Sequence, residues 1–125
     1  MSDITDQAAA YNREAWDSVR RQRDAGLVNI RPDSARDILA GRRFLYPENL
    51  DLAGDVRGKR LLDMGCGDGA KMLEWARAGA VVTGVDNSSV QLAAARRNAE
   101  KLGIECMLVQ ADILRIPEDL LRDEF

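Results

Sequence analysis

The sequence predicts an α/β protein: the βαβαβ half of a doubly wound parallel sheet, strand order 3-2-1, preceded by N-terminal helices. Three observations lead there. From Lys59 onward, short aliphatic runs alternate with amphipathic stretches rich in alanine and leucine. The first run, Arg60–Met64, leads directly into Gly65-Cys66-Gly67-Asp68-Gly69, the tight turn a strand needs to enter a crossover helix. The composition, 46% hydrophobic and 31% charged over 125 residues, is that of one globular, soluble domain with enough chain to bury a core.

Each element follows from its local pattern. Residues 6–23 set Ala9, Ala10, Trp16 and Val19 among charged side chains, an amphipathic helix that Gly26 stops. In it Trp16 is expected in the core, and Arg20-Arg21-Gln22-Arg23 reads as a solvated face. Pro32-Asp33-Ser34 opens a second, short helix ending near Gly41. Pro47 and Glu48-Asn49 break the pattern, and Gly54 and Gly58 frame a turn. This gives an N-terminal helical segment, 1–54, and a core, 55–125.

Within the core, residues 60–64 form the first strand, and Gly69–Ala78 a helix with Met72, Leu73, Trp75 and Ala76 on one stripe. Residues 80–85 (AVVTGV) read as a strand buried on both faces. Residues 88–102 form a helix with Ser88 as N-cap and Gly103 as stop, and Ile104–Gln110 is the third strand. Right-handed crossovers then place the strands 3-2-1.

The composition also excludes chemistry. With no histidine in the chain, Ser-His-Asp triads, HExxH zinc sites and imidazole bases are absent from it. Cys66 and Cys106 stand forty residues apart with no CxxC partner, so no metal site is expected and both thiols are read as free. A net charge of −3 gives nucleic acid no support. No run approaches the ~20 apolar residues of a membrane span, and Met1–Asp6 has no basic or apolar leader character. A cytoplasmic location is the expectation.

The glycine loop carries the functional signal. Bare backbone at Gly65 and Gly67 lets a ligand lie close, and the following helix adds N–H donors and a positive dipole. Gly65, Gly67 and Ala70 also satisfy the G-x-G-x-x-G/A dinucleotide pattern, and Asp86, 21 residues after Gly65, suits a ribose of either cofactor class. The acids discriminate. Asp63 and Asp68 would lie near a pyrophosphate, and like charges ~4–6 Å apart in a partly dry site cost kcal/mol. A ligand carrying an ammonium and a sulfonium would be favoured by the same acids.

Asp63-x-Gly65-x-Gly67-x-Gly69 resembles the first motif of class I, Rossmann-like S-adenosylmethionine-dependent methyltransferases. Gly84-Val85-Asp86-Asn87-Ser88 resembles their second motif and Gln110-Ala111-Asp112-Ile113 their third; the resemblance covers roughly residues 55–117. It implies S-adenosyl-L-methionine as cofactor and a transferred methyl group. The implied cofactor-binding set is Asp63, Gly65, Cys66, Gly67, Gly69, Asp86, Asn87, Ser88, Ala111, Asp112 and Ile113. Within it, Asp63 would lie near the amino group, Asp86 on the ribose, Asn87 beside the adenine, and Asp112 with Ile113 at the adenine edge. Tyr11 and Trp16 fall in a segment that often caps the pocket in similar enzymes. No residue is nominated as catalytic.

Similar enzymes continue into a fourth strand beside the first, and Asp123-Glu124-Phe125 reads as the approach to it. The expectation is a cofactor-binding half that, alone, binds cofactor weakly and methylates poorly. Its first strand would offer an edge for self-association or a complementing chain. A small-molecule acceptor is favoured. The competing readings are an aminopropyl transferase using the decarboxylated cofactor, a non-catalytic nucleotide-binding or interaction module, and a nicotinamide-dependent oxidoreductase.

Overall fold

The computed structural model describes residues 3–27, 33–122 and 125. Pro32, expected to open the second helix, and Asp123-Glu124, expected to approach a further strand, lie outside the described residues.

The elements run α1 (Ile4–Asp24), α2 (Ser34–Leu39), α3 (Pro47–Ala53), β1 (Arg60–Met64), α4 (Ala70–Arg77), β2 (Val81–Asp86), α5 (Ser89–Leu102), β3 (Met107–Gln110) and α6 (Glu118–Leu121). The sheet is parallel, in the spatial order β1-β2-β3, as expected from the alternating pattern. Arg60 pairs with Val81 and Met64 with Val85, while Thr83 pairs with Met107 and Asp86 with Gln110. The three strands therefore end together, next to the loops that carry the glycines and acids.

β2 is the central strand, and its interior is buried: Val82 is 2% exposed and Val85 0%. α4 packs on β2, and α5 packs on β2, β3 and α4. Met72, Leu73, Leu92 and Ala99 join Val82 in one cluster. Gly84 has no room for a side chain there, since a Cβ would sit 2.7 Å from Met72 Sδ and 2.8 Å from Cys66 Sγ. The glycine in the middle of a buried strand is what lets α4 and the loop after β1 approach the sheet.

Two elements differ from the sequence expectation. Pro47 starts a helix rather than breaking one. It occupies the first turn of α3, where no N–H is needed, and the Tyr46 N–H is capped by Asn49 Oδ1 at 3.0 Å. β3 begins at Met107 rather than Ile104, because the Ile104 N–H is taken by the Ala99 carbonyl (2.9 Å) in closing the end of α5 at left-handed Gly103.

The N-terminal helices are not a separate layer of solvent-facing helix. α1 packs on α5, and α2 packs on both α5 and α4. The buried Glu74 side chain fastens the stretch before α3, accepting from the Phe44 N–H (2.9 Å) and the Leu45 N–H (2.6 Å). No helix among the described residues is long and apolar enough to cross a membrane.

Candidate functional site

The site forms where the chain leaves the ends of the parallel strands. The Gly65 and Cys66 N–H groups both donate to the Val85 carbonyl, at 2.7 and 3.0 Å, so the chain turns away as soon as β1 ends. Gly65, Gly67 and Gly69 take φ of +80°, +55° and +80°, a conformation that costs a side-chain-bearing residue roughly 1–2 kcal/mol. A Cβ at Gly65 or Gly67 would meet no protein atom within 4 Å, so backbone conformation, not crowding, requires glycine at these two positions.

Asp86, at the end of β2, ties two loops together. Its Oδ2 accepts from the Gly67 N–H (2.8 Å) and its Oδ1 from the Ser88 N–H (2.9 Å). Each carboxylate oxygen keeps a further lone pair for a ligand. Ser88 is fully buried and caps α5 through the Gln91 N–H (3.0 Å).

A cavity of about 540 Å³ lies over these strand ends, within the size range of ~300–1,000 Å³ usual for small-molecule sites. Gly65, Gly67, Asp86, Asn87 and Ser88 form one side, with Asp112, Ile113 and Leu114 after β3. α1 forms the roof, through Thr5, Ala8, Ala9, Asn12, Arg13, Trp16 and Arg23. The helix crosses the strand ends in reverse order. Asp6 pairs with Arg115 beyond β3. The Ala9 carbonyl accepts from Asn87 Nδ2 (2.9 Å), and Asp17 accepts from Ser88 Oγ, both after β2. Arg20 then reaches Asp68 after β1, at 3.2 Å.

The eleven sequence-nominated residues divide. Gly65, Gly67, Asp86, Asn87, Ser88, Asp112 and Ile113 line this cavity; Asp63, Cys66, Gly69 and Ala111 do not. Asp63 lines a separate hollow with Leu61, Leu62, Lys71 and Trp75. Burial pushes its carboxyl above the ordinary value, Lys71 opposing and the Asp86 charge adding to the rise. Cys66 is buried under the loop against the Gly84 backbone, and desolvation first, then the Asp86 and Asp63 charges, push its thiol up to about 12. It is an inert packing residue at neutral pH. Gly69 caps α4, and Ala111 extends the ladder by donating to the Asp86 carbonyl (3.1 Å). Asp112 Oδ1 accepts from the Leu114 N–H (3.0 Å), so it shapes its loop while facing the cavity.

Two expectations for α1 are corrected. Arg20, read as part of a solvated face, is 0% exposed and pairs with Asp68 and Asp24 (3.0 Å). Asp68 also accepts from Ser34 Oγ, so the loop acid clamps α1 and α2 to the loop rather than presenting a free charge to a ligand. Trp16, expected in the core, is 45% exposed and lines the cavity. Apart from Trp16, the roof residues were not nominated, because the charged side chains scattered along α1 mask the face they share. The available signal was the spacing of Thr5, Ala8, Ala9, Asn12, Trp16 and Arg23, which recurs on one helical face.

Comparison with known proteins gives the family. A family model described as a methyltransferase domain matches residues 61–124, just over half of the chain. This chain belongs to that methyltransferase domain family. It is 37% identical over 97 residues to a ubiquinone biosynthesis O-methyltransferase of Dinoroseobacter shibae, covering 77% of this chain and 38% of that protein. It is 44% identical over 70 residues to a demethylmenaquinone methyltransferase of Thermus thermophilus, covering 54% of this chain and 32% of that protein. The chain thus spans well under half the length of these curated relatives. Among solved structures, magnesium protoporphyrin IX methyltransferase from Synechocystis PCC 6803 with bound SAM superposes with a TM-score of 0.62 at 22% identity. That match covers 87% of this chain and 56% of the other, and shows a shared fold.

Proposed function

We propose that this chain holds S-adenosylmethionine under α1, as the cofactor-binding part of a methyltransferase acting on a small-molecule acceptor. The observation that carries the reading is the Asp86 carboxylate, held by the Gly67 and Ser88 amides at the rim of a cavity roofed by α1. The residues fit the group. Asp86 suits two vicinal hydroxyls, and Gly65 and Gly67 admit a chain lying against backbone. Ala8, Ala9, Ile113 and Leu114 supply apolar walls for a purine, with Asp112 and Asn87 as polar neighbours. Asp63, Cys66, Gly69 and Ala111 serve the same site indirectly, by setting the loop and the strand end.

The bound cofactor would supply an electrophilic methyl on a sulfonium. What this chain's residues contribute is binding, orientation and, through α1, exclusion of water. The names of the relatives, a ubiquinone biosynthesis O-methyltransferase and a demethylmenaquinone methyltransferase, support a small organic acceptor over a macromolecule. With Asp68 neutralised by Arg20 and Asp63 outside the cavity, the case against a dinucleotide rests on the family to which the chain belongs and not on the loop acids.

Parallel calorimetric titrations with S-adenosylhomocysteine and NAD test the reading. Saturable heat with the first and none with the second is expected. NAD binding as tightly as S-adenosylhomocysteine would overturn it in favour of an oxidoreductase.

A further inference from the structure

A second hollow, of about 650 Å³, lies where α2 and α4 end, and it shares no lining residue with the cavity under α1. α4 runs from the glycine turn to this hollow, roughly 12 Å along the helix axis, so the two sites are distinct. Ile38, Leu45 and Leu50 give the hollow an apolar side. Its charged side chains are Glu74, Arg42, Arg43 and Arg77.

Glu74 is 7% exposed and only half satisfied. Its Oε2 accepts from the Phe44 and Leu45 N–H groups, while the buried Oε1 has no partner among the described residues. A buried carboxylate oxygen left without a donor is costly, and native structures rarely keep one unmet. Two guanidiniums beside it are uncommitted as well. Arg43 directly precedes Phe44, whose N–H is on Glu74, and has no hydrogen bond or ion pair among the described residues. Arg77 follows Glu74 by three residues, which makes the two side chains neighbours on α4. It reaches the Ile38 carbonyl at 3.5 Å, the limit of a hydrogen bond. Arg42 is taken: it pairs with Asp37 (3.1 Å) and lies over the Phe44 ring.

Arg43 and Arg77 are exposed and stand at the mouth of the hollow, with buried Glu74 as its floor. The C-terminal ends of α2 and α4 border it, and these partly negative ends favour a cation. We propose that the hollow binds a free α-amino acid with an apolar side chain. The ammonium meets Glu74 Oε1, the carboxylate meets Arg43 and Arg77, and the side chain lies on Ile38, Leu45 and Leu50. A guanidinium fork matches a carboxylate in two parallel hydrogen bonds. A plain carboxylate would leave Glu74 without its donor, and a plain amine would leave both guanidiniums idle. The proposal stands apart from the cofactor reading, since it uses none of the same residues.

Calorimetry on the full chain tests this with L-leucine and two analogues, 4-methylpentanoate, which lacks the ammonium, and 3-methylbutylamine, which lacks the carboxylate. Leucine is expected to bind about 10-fold or more tighter than either, the scale of one charged hydrogen-bonded contact. The double variant Arg43→Gln, Arg77→Gln brings leucine down to the level of the amine and leaves the amine unchanged. Glu74→Gln keeps an acceptor for the Phe44 and Leu45 N–H groups and brings leucine down to the level of 4-methylpentanoate. Saturating S-adenosylhomocysteine leaves the leucine affinity as it was. No saturable heat with leucine, an analogue that matches it, or a double variant that weakens leucine and the amine equally would overturn the proposal. Competition between leucine and S-adenosylhomocysteine would overturn it too, by placing the amino acid under α1. The wild-type comparison decides even if a variant melts early.

Discussion

α1 and α5 flank the same cavity and are held by opposite means. α5 buries Leu92, Ala94, Ala95 and Ala99 against the sheet and α4, and is closed by Ser88 at one end and Gly103 at the other. α1 has a single buried residue, and that residue is Arg20. It is held by side-chain bonds to the strand-end loops, Asp6 to Arg115, Asn87 to the Ala9 carbonyl, Ser88 to Asp17 and Arg20 to Asp68, and by the Arg97–Asp24 pair to α5 itself. Apolar burial stabilises in proportion to area and without regard to direction. Polar docking depends on partners that exist only once the strand-end loops have formed. One side of the cavity is therefore part of the core, while its roof is fastened to the loops it covers.

The largest expected effect breaks the core side. Leu73→Ala removes a fully buried side chain and should cost about 2–5 kcal/mol by urea unfolding. All segments, α1 included, should lose hydrogen-exchange protection together.

The roof is the next test. Asp68→Asn leaves Arg20 buried with one carboxylate fewer and should cost about 1.5–3 kcal/mol. Amides of α1 should exchange first while β2 keeps its protection. If β2 loosens equally, the roof is not a separate unit. A double-mutant cycle with Arg20→Met should return a coupling of about 0.5–3 kcal/mol.

The smallest effect concerns Asp63. Burial, partly offset by Lys71 and reinforced by Asp86, raises its folded-state pKa above the ordinary 3.8. Such a carboxyl binds its proton more tightly folded than unfolded. It favours the fold at low pH, and that contribution is lost as pH rises through the folded pKa. At neutral pH the carboxylate is a burden, so Asp63→Asn should raise Tm at pH 7, with the gain fading as pH falls toward 3.8. Thermal melts across that range check the sign.

The parts of the molecule legible in sequence were those written in local pattern. The strand at 60–64, the turn at Gly65–Gly69 and the helix capped by Ser88 and Gly103 each carry their own signal within a few residues. Asp86 was legible because it ends a strand at a fixed distance from the glycines. The α3 helix was not, because Pro47 reads as a breaker unless its first-turn position is known. The roles of Arg20 and Trp16 were not legible either, since a charged residue on a charged helix carries no mark of the acid it will meet 48 positions away.

The class of fold, the parallel order of the strands and the glycine turn after β1 are written in the sequence. Those follow from periodicity, glycine φ preferences and caps, all local physics. Packing of distant segments fixed what that loop does with its acids. It turned Asp63 toward Lys71, spent Asp68 on Arg20, left Asp86 at the cavity and brought Arg23 and Gln91 to its edge. A charge has no function until its partner is known, and the partners here come from opposite ends of the chain.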